Sequence, residues 1–486
     1  MEFSEKGILL TGKSPHGVHN AVQSLLAILA NKELPMTLPA ASVADYPDLE
    51  YRGLHFDVAR NFTPKEDIFR LIDLLSLYKM NILHLHLTDD EGWRLEVPGL
   101  EELTEVGARR GHTLTESDRL YPLYGSGWNP DADTPGSGYY SCKDFGEILR
   151  YAARHHIRVI PEIDIPGHSR AAIKAMNARY ARYIATDPDR AREYLLADSC
   201  DASVYRSAQD YTDNVMNIAM PSAYRFVRKV LSELRRMYEA AGVELSVVHI
   251  GGDEVPRGAW SDSPICREFM ARNGLADTHA LKDHFVRWLY GELDAAGIQL
   301  AGWQEIVMLP DGRHVNRQLP GRRILSYGWN TQPGESFDEV PYALANAGYP
   351  VVLCNVTNLY LDLAYNKHHM EPGHRWGGYV DACSTFDMLP YDIYKSVRTY
   401  PDGSPADLAS ASSGKEALHS AARRNIVGIQ GQLWAETIRN FDMAEYLLFP
   451  KMCGLSERAW NASPAWSANP DGGSLRSRCR GWPPWA

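Results

Sequence analysis

The sequence predicts an α/β fold, a parallel (β/α)8 barrel preceded by a short α+β segment, and three observations point to it. From Tyr51 onward eight short apolar or β-branched runs recur, each separated from the next by enough residues to hold a helix. Amphipathic stretches of helical period lie between them. The longest irregular insertions follow strand ends, where barrels of this kind build their sites.

The eight runs are Arg52–Val58 (RGLHFDV), Ile82–Thr88 (ILHLHLT), Arg158–Ile163 (RVIPEI), Leu245–Ile250 (LSVVHI), Gln299–Trp303 (QLAGW), Arg323–Tyr327 (RILSY), Pro350–Val356 (PVVLCNV) and Asn425–Leu433 (NIVGIQGQL), the last preceding a helical tail. Between the first two, Lys65–Lys79 carries Ile68, Leu71, Ile72, Leu75 and Tyr78 at helical spacing behind Thr63-Pro64, so it should pack outside the sheet. Thr113–Tyr140 and Asn366–Gly414, rich in Gly, Pro, Ser and Asp, are expected to wall the site rather than link domains. Residues 1–50 read as half of a small α+β domain: a strand in GILLTGKS and a helix in HGVHNAVQSLLAILANK. Alone these bury little area, so they should pack on the barrel or complete a sheet. The barrel is then expected over 51–462 and an irregular tail over 463–486.

Composition sets outer bounds. A chain of 486 residues with 44% hydrophobic and 23% charged content is an ordinary globular protein, and a formal charge of −11 opposes a nucleic-acid partner. Seven cysteines without a CxxC spacing argue against a disulfide framework or structural zinc. No apolar run is long enough to span a membrane, and MEFSEKGILL lacks the basic and apolar regions of a signal peptide, so the chain as given reads as soluble. No metal or cofactor is expected, and the sequence carries no signal for oligomeric state.

The strand endings bring carboxylates, an Arg, a His and aromatics to one mouth: Asp57 with Arg60, Asp89-Asp90, Glu162, Asp164 and His168, Asp253-Glu254, Trp303 with Glu305, Trp329, Tyr360 with Asp362, and Trp434 with Glu436. That mixture suits a sugar, with polar partners for hydroxyls and flat walls for ring faces. In HIGGDE, Gly251 and Gly252 let the backbone bend just before two adjacent carboxylates. Placed past the strand end, both can face one ligand, and their mutual repulsion separates their pKa values so that one can stay an acid. A buried structural pair or a loop-capping Asp fits the same motif. In PEIDIPGH, Asp164 and His168 flank a turn and either relay to Glu254 or stabilise the turn and fill the core. His84 and His86 alternate toward the barrel interior, but no third ligand at metal-binding spacing accompanies them. His155-His156 and His368-His369 read as loop or helix-end residues.

Together RGLHFDVARNF, LHLHLTDDEGWRLE, PEIDIPGHSRAA, HIGGDE, GWQE, YLDLAY and QGQLWAE resemble glycoside hydrolase family 20, over roughly Gly7 to Trp460. The resemblance implies a TIM barrel and an exo-acting, retaining β-N-acetylhexosaminidase. Its substrate's own acetamido group would attack the anomeric carbon, giving an oxazolinium-like intermediate. On the matching positions, Glu254 would be the general acid/base, Asp253 would orient the acetamido nitrogen, and Tyr360 would donate to the acetamide oxygen. Trp303, Trp329 and Trp434 would box the methyl. Arg60, Asp362 and Glu436 would grip the terminal sugar, while Asp89, Asp164 and His168 would support the acid. Trp376 would form a platform for the next sugar. The family's exported, periplasmic or lysosomal setting is implied as well. Residues 1–50 resemble only the last strand and helix of the small domain that members carry before the barrel.

Two other readings make different demands. A chitinase-like endo-hydrolase needs a DxxDxDxE strand, which is absent, and a non-catalytic carbohydrate-binding barrel predicts loss of the acid, which is present. The partner expected is a terminal N-acetylhexosaminide, with GlcNAc and GalNAc both open because the loops decide the fit at the 4-hydroxyl. Sequons occur at Asn61, Asn355 and Asn461, the first two at strand ends.

Overall fold

The computed structural model describes residues 1–30, 38–320, 323–334 and 337–468. Eight strands close into a barrel: Tyr51–Asp57, Ile82–His86, Arg158–Glu162, Val247–His249, Gln299–Trp303, Leu325–Gly328, Val351–Leu353 and Ile426–Leu433. All pairs are parallel between sequence neighbours, and the eighth strand closes on the first from Gly428 opposite Tyr51 to Leu433 opposite Phe56. All eight runs become strands, with their ends shifted by no more than three residues.

Alternation explains the layering. In the second strand Leu83 and Leu85 face the helices, while Ile82, His84 and His86 face the lumen. The lower lumen is apolar, with Tyr51, Ile82, Ile160, Val247, Leu325 and Val352 in one cluster. Above it lies a fully buried polar layer containing His55, His84, Glu162 and His249. Around the barrel, Lys65–Leu77 buries Ile68, Leu71, Ile72 and Leu75, and ends two residues before expectation as Lys79 turns to φ +58°. Cys142–Arg154 starts from a Ser141/Asp144 capping box. Between the seventh and eighth strands the described residues hold only short pieces such as Val356–Leu359 and Ala382–Phe386; the Gly- and Pro-containing insertion supplies no continuous apolar stripe.

At the N-terminus, Glu2–Ser4 pairs antiparallel with both Gly7–Leu9 and Ala41–Ser42, so the segment is a small three-stranded sheet rather than one strand, with the helix Pro15–Ala30 between the second and third strands. The helix meets the barrel through His16 stacked on His156 and through His19 bonded to Ser76 at 2.9 Å. Ile8, Leu9, Leu26 and Leu29 stay exposed. At the other end, Ala465–Ala468 forms a short 3-10 turn in which Trp466 stacks on Phe386 beside the Arg458 guanidinium. The rest of the expected tail, 469–486, lies outside the described residues, as does Cys479. Cys142, Cys200, Cys266, Cys354 and Cys453 are unbridged thiols. Among the described residues no helix is long and apolar enough to cross a membrane.

Candidate active site

The fourth strand ends at His249, and the chain then turns through Gly251 at φ +63° and Gly252 at φ +82°. A side chain on Gly251 would run into the Asp164 carboxylate, 2.0 Å from its Oδ1. This bend lets Asp253 and Glu254 face the same space past the strand end. Glu254 itself sits at φ +45°, a conformation that costs energy in a non-glycine residue and recurs at functional sites.

Behind Glu254 stands His168, its Nε2 at 3.4 Å from Oε2, with Nδ1 on Asp89 Oδ1 at 3.0 Å. Two of the three expected supports therefore line up on the acid. Asp164 accepts the Gly252 N–H at 3.1 Å and so fixes the bend, with a carboxylate oxygen within 4.8 Å of His168 and Asp253. Burial pushes Asp253 up to about 6, with the Glu254 charge adding to burial and the His168 cation opposing it. Burial also acts on Glu254, but the hydrogen bond and charge of His168 and the Gln209 amide outweigh it and hold Glu254 below its ordinary range.

Across the mouth, Trp434 and Trp303 lie 5.7 Å apart, and Trp329, Tyr360 and Trp376 contact one another at 5.8 to 6.4 Å. Trp303 is buried and donates its Nε1–H to Glu162 at 2.9 Å, so it forms the floor. Trp329 donates to Glu305 at 2.9 Å, and Trp376, 49% exposed, stands at the rim. Arg60 lies over the Trp434 ring and pairs with Asp89 at 2.8 Å and Glu91 at 3.2 Å. Glu436 faces His374 at 3.4 Å; although burial would raise it, that contact and Arg60 hold it down to about 2. Asp362 is pushed by burial up to about 7.

Both oxygens of Asp362 and Oδ1 of Asp253 are buried acceptors with no hydrogen-bonding donor among the described residues. Such groups are costly unless a ligand donates to them, and here they converge beside the indoles. A separate cleft of about 300 Å³ begins at Glu254 and is lined also by Val255, Arg257, His279, Lys282 and Glu305.

Sequence reasoning missed several parts. Gln209 donates to Glu254 at 2.9 Å, and Tyr211 and Tyr124 both donate to Glu91 at 3.1 Å. The first two come from the long segment after the third strand, which carries no motif. The two expected insertions do supply walls, Tyr124 from one and His374 and Trp376 from the other. A third ligand-type residue beside His84 and His86 is not missing in space: His55, Glu162 and His249 surround them from other strands. Asn61 donates to Ala435 O at 2.9 Å and Asn355 is buried, so neither sequon asparagine is available to a glycan.

Fold and mouth together define a (β/α)8 barrel whose open end is walled by carboxylates and indoles. The description "Glycosyl hydrolase family 20, catalytic domain" matches residues 49–463. A β-hexosaminidase of Vibrio vulnificus is 37% identical over 468 residues, 95% of this chain and 53% of that protein. β-Hexosaminidase B of Pseudoalteromonas piscicida is 37% identical over 99% of this chain and 60% of its own length. The solved structure of an exo-β-N-acetylglucosaminidase from Vibrio harveyi in complex with N-acetylglucosamine matches with a TM-score of 0.74 at 32% identity, covering 96% of this chain and 63% of that one. The chain belongs to glycosyl hydrolase family 20. It spans little more than half the length of these two curated relatives, 53% and 60%.

Proposed function

We propose that this chain is an exo-acting, retaining β-N-acetylhexosaminidase that removes terminal, non-reducing β-linked N-acetylhexosamine by substrate-assisted catalysis. The observation that carries this reading is the adjacent Asp253 and Glu254 past the Gly251-Gly252 bend, facing an aromatic box with unpartnered buried acceptors. Asp362 and Glu436 accept from sugar hydroxyls beside Arg60, which Asp89 and Glu91 hold in place, and gripping a terminal ring there makes the action exo. Trp303, Trp329 and Trp434 enclose the acetamide methyl. Asp253 accepts the acetamide N–H, and Tyr360 donates to the oxygen that attacks the anomeric carbon. As that C–O bond forms, the glycosidic bond breaks and Glu254 gives its proton to the departing oxygen. Glu254 then takes a proton from water, which opens the oxazolinium ring with retention.

In the free site burial raises Asp253, while His168 and Gln209 hold Glu254 low. A bound acetamide donating to Asp253 favours its ionised form, and exclusion of water favours protonated Glu254, so substrate moves the pair toward the working state. The related hexosaminidases and the exo-β-N-acetylglucosaminidase above support the same reading.

The test compares hydrolysis of an aryl β-N-acetylglucosaminide with the matching plain β-glucoside, with an oxazoline-mimicking thiazoline added in parallel. Activity confined to the acetamido sugar and blocked by the thiazoline is expected. Equal activity on the plain glucoside would overturn the reading.

A further inference from the structure

Beneath the mouth, five side chains alternate between carboxylate and imidazole: Glu162, His86, Asp89, His168 and Glu254. His86 Nδ1 lies 2.6 Å from Glu162 Oε2, and His86 Nε2 lies 2.7 Å from Asp89 Oδ2. Asp89 Oδ1 meets His168 Nδ1 at 3.0 Å, and His168 Nε2 reaches Glu254 at 3.4 Å. All but Glu254 are buried. A neutral imidazole has one donor, so it cannot satisfy carboxylates at both nitrogens; His86 meets both only as the doubly protonated cation.

We propose that His86 and Glu162 are positioning residues for Glu254: His86, donating from both ring nitrogens, anchors Asp89 to the barrel floor and thereby sets how firmly His168 is held against the acid. This rests on the hexosaminidase reading for the role of Glu254, while the His86 geometry stands without it.

The surroundings agree. Burial alone would strip His86 of its proton, but Glu162 and Asp89 hold it well above the ordinary histidine range. Asp57 and His55 face it from the first strand, His84 lies two residues before it, and Asp164 approaches from beyond the third strand; Arg60 holds Asp89 at 2.8 Å. Burial pushes His55 down to about 3 and His249 down to about 4, so they stay neutral around Glu162. The same histidines are of metal-ligand type, but Gln430 donates to His84 Nδ1 at 3.2 Å, its orientation set by Tyr51 donating to its Oε1 at 2.5 Å. That leaves the His84 proton on Nε2, the nitrogen facing Glu162 at 3.1 Å, where a metal would need a lone pair.

Losing the His86 cation leaves more of the Asp89 charge to His168, which then keeps Glu254 ionised. The first measurement is nitrogen-15 NMR of histidine-labelled wild-type protein near pH 8, where His86 should show both nitrogens protonated and the signal should vanish in Glu162→Gln. The second is kcat/KM of His86→Gln, Glu162→Gln and the double variant on an activated aryl glycoside and on a disaccharide. Each variant should lose about tenfold more on the disaccharide than on the aryl substrate. The basic limb of kcat/KM should move to lower pH, and the double variant should be no worse than the poorer single one. A neutral His86 in the wild type would overturn the proposal, and so would stoichiometric bound metal. Equal losses on both substrates with an unmoved pH profile would make the pair packing residues only. If the wild type cleaves neither glycoside, the hexosaminidase reading fails while the NMR signal still decides the state of His86. If these variants do not fold, Glu162→Asp replaces them, with the same loss of the His86 signal and the same shift of the basic limb expected; an unmoved profile there would overturn the positioning role.

Discussion

Asp164 accepts the N–H of Gly252 at 3.1 Å, and the same carboxylate stands where a β-carbon on Gly251 would fall. The bend that turns Asp253 and Glu254 into the mouth is therefore closed by a residue from the third strand's end. Gly251→Ala should lower kcat/KM by about a hundredfold or more, because a shift near 1 Å misplaces both carboxylates. Steady-state kinetics with circular dichroism as the folding control checks this; near-normal activity would show that the bend is not required.

Glu254→Gln removes the proton donor but keeps its shape. Turnover should collapse on a disaccharide and persist in part on an aryl glycoside whose leaving group needs no proton. Asp253→Asn should instead impair both substrates, since acetamide participation is damaged in either case. Comparing the two variants on the two substrates separates the roles, and identical patterns would contradict the division between them.

Asp362 is a buried carboxyl raised to about 7 from an ordinary value of 3.8. A raised carboxyl binds its proton more tightly in the folded state, so its stabilising effect is full below pH 4 and is lost as pH rises toward 7. Asp362→Asn should then be more stable than wild type at pH 8 by about 1–2 kcal/mol, with the gap closing at low pH, while losing most activity. Thermal melts across pH 4 to 8 would show it; a gap independent of pH would refute the assignment.

His16 has the opposite sign. Burial, aided by Arg52 and the neighbouring His156, lowers it from 6.5 to about 4. The unfolded segment therefore binds more protons between those values, and the packing of Pro15–Ala30 on the barrel should weaken as pH falls below 6.5. Hydrogen exchange in that helix should speed up at pH 5 relative to pH 7, and His16→Asn should blunt the change.

The sequence by itself determined the barrel and most of the mouth. Parallel strands alternate with helices at a period the residues display, and a strand's last residues must face the open end, so Arg60, Asp253, Glu254, Tyr360, Asp362, Trp434 and Glu436 could be named from chain position and motif. Tertiary structure alone decided which of these touch. Gln209 reaches Glu254 from an irregular segment 45 residues away in sequence, and His374 reaches Glu436 from within a long insertion; neither segment has a periodicity that fixes its path. The lumen tells the same story: alternation put His84 and His86 inside, but only barrel closure brought His55, Glu162 and His249 around them. Strand direction is a local property of the backbone, whereas a partner across the barrel depends on the stagger and closure of all eight strands at once.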